Sequence, residues 1–172
     1  MYKRQSGTKE MLDRLANPRG AEKVRRVMLA GVEAEGPVHV DRLCRLTAAA
    51  FGLSRVVEKR RDALAELLPG SVRHGDFAWP ERLDRGSWTG FRRDPGAQRP
   101  MEQVAPEEIG NAMVALCRAS AGMTRDELFA ATLEVFGFRR RMAAQSAVLE
   151  VALAAATSAD RLSTSPTGLI TA

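Results

Sequence analysis

The chain has 172 residues, of which 45% are hydrophobic, 27% charged and 5% aromatic, and it carries a formal net charge of +5. That balance excludes a disordered chain, and with few aromatics the core falls to Leu, Val and Ala, which suits helices. No apolar run approaches the roughly 20 residues of a membrane span, and the polar, basic N-terminus lacks a signal-peptide core, so a cytoplasmic protein without membrane contact is expected.

Residues 1–20 read as an N-terminal extension, either linker or non-native start. A first module, 21–80, comes next. Asn17-Pro18 supplies a helix cap and first-turn residue, and Val24, Val27, Met28 and Val32 form a stripe at helical spacing that ends at Gly36-Pro37. The pattern predicts a second helix from about His39 to Phe51, with Leu43, Leu46 and Ala50 inward, stopping at Gly52. A third is predicted over Ser54–Leu68, with Val57, Leu64, Leu67 and Leu68 inward and Pro69-Gly70 as terminator. Val72-Arg73-His74 and Phe77-Ala78-Trp79, around Gly75-Asp76, read as a hairpin.

Residues 81–104 are rich in Pro, Gly, Arg and Asp and read as an ordered connector pinned by Trp88 and Phe91. Trp88 also has a base-stacking reading, but packing is the simpler one. The second module, 105–172, opens on Pro106-Glu107-Glu108, where a missing N–H and two acids suit a helix start. Thr124-Arg125-Asp126-Glu127 has the form of a capping box. A third helix is predicted from Arg139 to about Thr157, and Arg161–Ser163 with Leu169–Thr171 forms a second hairpin.

The two modules are copies. Shifted by 85 residues, the chain repeats Glu22, Met28, Ala30, Ala34, Asp41, Leu43, Thr47, Phe51, Gly52, Arg55, Leu64 and Leu68 without a gap. Three helices and a hairpin, with a tight joint between helices two and three, is the winged helix-turn-helix order. The expected fold is therefore mainly α, two tandem winged helix-turn-helix modules from an internal duplication, with a plain helix bundle as the alternative.

The charge is unevenly shared. Residues 1–20 carry five basic and two acidic side chains, 21–95 fourteen and eleven, and 105–172 six and seven. If polyanions are bound, the first copy does most of it. In a helix-turn-helix module the third helix enters the DNA groove and the hairpin touches backbone. The candidate nucleic-acid contacts are thus Arg55, Lys59, Arg60 and Arg61 on helix three, with Arg55 and Lys59 on one face. Arg73 on the hairpin, Arg92 and Arg93 in the connector, and Arg140 as the counterpart of Arg55 extend the set. The plain alternative for each is a solvated surface cation. Helix three of the second copy turns to Ala and Ser after Arg139-Arg140-Arg141, which suits packing against another domain.

No enzyme signature stands out: there is no phosphate loop, no dinucleotide fingerprint and no nucleophile–base set. Cys44 and Cys117 fall on apolar stripes, and with only His39 and His74 besides, no zinc spacing is met. A non-catalytic chain without cofactor or metal is expected.

Glu35-Gly36-Pro37-Val38-His39-Val40-Asp41-Arg42-Leu43, Phe51-Gly52-Leu53-Ser54-Arg55 and Glu58-Lys59-Arg60-Arg61 resemble the family called domain of unknown function 3320. So do Trp79-Pro80, Ser87-Trp88-Thr89-Gly90-Phe91-Arg92 and Pro106-Glu107-Glu108-Ile109-Gly110-Asn111-Ala112-Met113, so that the resemblance runs from about Ala21 onward. It implies the C-terminal module of a very large bacterial protein with a superfamily-one helicase and a nuclease similar to very-short-patch repair enzymes. The family supplies no catalytic residues. The role it implies is accessory, in DNA processing, restriction or defence, with DNA and the upstream domains as partners. The alternative is a protein-interaction scaffold docking on the parent ATPase or nuclease without DNA.

Overall fold

Asn17 caps the first long helix: its side chain accepts the Arg19 backbone N–H at 3.1 Å, while Pro18 occupies the first turn at no hydrogen-bond cost. In the computed structural model, which describes residues 7–172, the chain divides into one unit ending at Leu83 and a second running from Asp84 to Ala172. Among the described residues the fold is mainly helical, with seven helices and two small antiparallel sheets. None of the helices among the described residues is long and apolar enough to cross a membrane.

The first unit holds α1 (Lys9–Asp13), α2 (Pro18–Glu35), β1 (Val38–His39), α3 (Val40–Ala50), α4 (Glu58–Ala65), β2 (Arg73–His74) and β3 (Phe77–Ala78). Val24, Met28 and Val32 recur every four residues and bury one face of α2 against Leu43, Cys44, Phe51 and Leu64. The three strands pair antiparallel in the order β1-β3-β2, so the hairpin is anchored by the strand that leads into α3.

The second unit holds a 3-10 turn (Met101–Gln103), α5 (Pro106–Ser120), α6 (Arg125–Val135), α7 (Ala143–Ser158), β4 (Ser163–Thr164) and β5 (Ile170–Thr171). Ile109, Met113, Leu128, Phe136 and Leu149 are fully buried in its core. Met123 bridges Ile170 by reciprocal hydrogen bonds of 3.0 and 2.7 Å, tying the segment before α6 to the hairpin.

The 85-residue offset carries into the elements. Arg125 opens α6 85 residues after Val40 opens α3, and Ala143 stands in the same relation to Glu58. Both middle helices end alike, because Gly52 and Gly137 each adopt φ +81°. Leu53 N–H returns to Ala48 O at 3.0 Å and Phe138 N–H to Leu133 O at 2.9 Å, closing a left-handed glycine cap. Gly137 has a second reason to lack a side chain, since a Cβ there would meet Asp94 O at 2.2 Å.

Several expectations need correction. The third helix of the first unit does not begin at Ser54 but at Glu58; Val57 sits in extended backbone at its N-cap, and Pro69 disfavours helical backbone before it, so the last turn tightens through Leu67 and Leu68. Val57, read as inward, is 62% exposed, because outside the helix it has no place in the helical period. The counterpart helix likewise starts at Ala143 and not at Arg139. The five-residue α1, which buries Leu12, and the two-residue β1 are too short to leave a periodic signal.

Candidate nucleic-acid interface

α4 is positioned by Leu64 and Ala65, buried on its inner side, and by the Cys44 thiol of α3, which donates to Arg61 O at 3.6 Å. Burial pushes that thiol up to about 11, so Cys44 stays protonated and acts as a small core residue. Asp41 adds to that rise, while the charges of Arg61 and Arg73 oppose it.

Only part of the predicted cationic set is presented to solvent. Arg55 is exposed but lies in the coil before α4, so it shares no helix face with Lys59, which is exposed on the first turn. Neither has an ion pair among the described residues. Arg60 is held by Asp13. Arg61 is shared between Asp62 at 2.8 Å, Glu58 at 3.5 Å and Asp41 at 3.6 Å. Arg73 is exposed on β2, where its Nε donates to Gly75 O at 3.5 Å across the turn.

Arg92 and Arg93 belong to the second unit and diverge there. Glu108 of α5 is fully buried, and Arg92 grips it with Nη2 to Oε2 at 2.6 Å and Nε to Oε1 at 3.0 Å. Arg99 adds Nη1 contacts of 3.0 and 3.1 Å to the same carboxylate, and its Nη2 donates to Arg92 O at 3.0 Å. This triad, with Asn111 donating to Trp88 O at 3.0 Å and Gly90 O at 2.7 Å, fastens residues 88–99 onto α5. Sequence reasoning placed Glu108 at a helix start for its charge and passed over Arg99; the closeness of the Trp88–Arg92 and Glu107–Met113 motifs was the available signal. Arg93 is exposed.

Arg140 is exposed in the coil before α7, on the rim of a cleft of about 250 Å³ that Arg139, Arg141, Asp126, Leu133 and Phe138 also line. Arg141 pairs with Asp126 at 2.8 Å, while Arg139 and Arg140 have no ion pair among the described residues. Among those residues no group of three or more His, Cys, Asp or Glu comes together to hold a metal.

One family model matches the chain, described as protein of unknown function (DUF3320), over residues 13–62. The match supports the resemblance read from the motifs of the first unit and reaches back into α1, before Ala21. No curated protein and no solved structure matches.

Proposed function

We propose that the chain is a non-catalytic accessory module of a DNA-processing or defence protein, built of two winged helix-turn-helix units, whose first unit contacts DNA phosphates. What supports the fold reading is the shared order of helix, strand-like segment, helix, glycine-capped turn, helix and hairpin, with matching starts 85 residues apart. What carries the DNA reading is that Arg55 and Lys59 stand exposed and unpaired around the start of α4, with Arg73 exposed on the hairpin, while nearby acids are engaged with Arg60 and Arg61. Cations not already neutralised can release counterions from DNA. The partners would be DNA and the helicase and nuclease domains of a parent protein.

Duplex and forked DNA should bind with a dissociation constant on the order of micromolar and a steep salt dependence. The double variant Arg55→Glu/Lys59→Glu should bind roughly tenfold more weakly, and its log–log salt slope should flatten by about two. Equal binding and equal slopes, measured by fluorescence anisotropy across a salt series, would remove this interface.

A second reading is favoured by a specific observation: the exposed side of α7 carries Ala143, Ala147, Val151 and Ala154 and no cation. That side suits a protein surface better than a DNA groove, so the second unit docks on a protein.

A further inference from the structure

α7 is apolar around nearly its whole circumference, which is ordinarily the mark of a helix packed on every side. Leu149, Ala152 and Ala156 face the core of the second unit. On the opposite side Ala143, Ala147, Val151 and Ala154 succeed one another at helical spacing, all exposed. Met142, just before the helix, is 68% exposed and Val151 58%; both are large hydrophobics left in water. Glu150, the helix's single charge, lies at the edge of this side and is held by Arg125.

The apolar stripe ends, at the N-terminus of α7, in the arginine-rimmed cleft. There Arg141 pairs with Asp126, while Arg139 and Arg140, which have no ion pair among the described residues, stand with Leu133, Phe138 and the exposed Glu134, so that three guanidiniums meet two carboxylates. The surface thus has a polarity: apolar along its length and cationic at one end.

That polarity identifies the occupant. We propose that this surface docks an amphipathic helix from a protein partner, with its apolar side along Ala143, Ala147 and Val151 and acidic side chains at the end over Arg139 and Arg140. The alanines allow close approach of the second helix axis, and the two guanidiniums match carboxylates in charge and geometry. A DNA groove is disfavoured because no cation continues along the helix. A second copy laid antiparallel would bring only Asp160, exposed just past the end of α7, toward the two arginines, and a dimer is one of the outcomes tested below. The inference rests on the docking reading of the second unit and names the chemistry of its partner.

The test is a display library of amphipathic helices of α7's length, with a fixed apolar side and randomised polar positions, selected on the full chain. Enriched helices should carry acidic residues at one end. Val151→Asp, at an exposed position where the melting temperature should hold, should weaken their binding at least roughly tenfold. Arg139→Glu/Arg140→Glu should do the same and should turn the preference toward basic ends. Enrichment that Val151→Asp abolishes but that shows no acidic preference overturns the proposed chemistry while leaving docking standing. Absence of any Val151-sensitive helix overturns both. A dimer of the chain alone in sedimentation, dissolved by Val151→Asp, makes the occupant a second copy and overturns the proposal.

Discussion

Half of the twelve residues that recur at the 85-residue offset are ones that packing and turn geometry demand. Met28/Met113, Leu43/Leu128, Thr47/Thr132, Phe51/Phe136 and Leu64/Leu149 are all buried, and Gly52/Gly137 take up left-handed backbone. The charged residues behave differently, because an ion pair depends on which neighbour comes within reach. Glu108 illustrates the point: fully buried, it holds two guanidiniums, one of them on the 9% exposed Arg99. Glu108→Ala leaves Arg99 buried without its main partner and should destabilise the second unit by about 3–5 kcal/mol in urea melts. Asp13→Asn, which removes the partly exposed pair with Arg60, should cost less than about 1 kcal/mol. Equal effects would mean that the buried triad is not a structural tie.

The corresponding helices are capped by different chemistry. Thr124 and Glu127 form a reciprocal box at the start of α6, with Glu127 Oε2 accepting from the Thr124 backbone N–H at 2.9 Å. At the same place on α3, His39 Nδ1 accepts the Asp41 N–H at 3.1 Å, and the ring packs edge-on against Phe77. A protonated imidazole has no lone pair to accept with. Desolvation holds the His39 pKa below its ordinary 6.5, against the opposing pull of Asp41 and Asp76 and with a smaller push from Arg45. A folded pKa lower than the unfolded one means that the stabilisation is present above 6.5 and is lost as the pH falls below that value toward the folded pKa. The Glu127 pKa is lowered below its ordinary 4.5, so its contribution fades only in more acid solution. The melting temperature of the first unit should therefore drop as the pH falls below 6.5. His39→Asn, which caps without titrating, should remove that drop; an unchanged slope in the variant would assign it elsewhere.

At the scale of the chain, each unit has its own buried core. Residues 84–104 pack with the second unit: Phe91 lies against its core, Met101 and Val104 are buried within it, and Arg92 and Arg99 hold Glu108. A fragment of residues 84–172 should melt cooperatively by circular dichroism. A fragment of residues 105–172, which keeps Glu108 but lacks both arginines and the Met101–Val104 plug, should be unfolded or strongly destabilised. A cooperative, equally stable 105–172 fragment would make the preceding segment dispensable.

Helical character, the hairpin turn at Gly75-Asp76, the Thr124 capping box and the glycine-capped joints were legible in the sequence, because each depends on contacts within a few residues along the chain. The recurrence of core residues at an 85-residue offset was legible too, since side chains of matching size fill the cores of both units. Where α4 begins, that Val57 is exposed, and which arginines remain unpaired were not: Val57 stays in extended backbone outside the helix, and the arginines depend on acids such as Asp13 and Asp41 brought close only by folding. Local periodicity decides which side of a helix can be buried. Only the packed chain decides which charges are spent inside it and which remain for a partner.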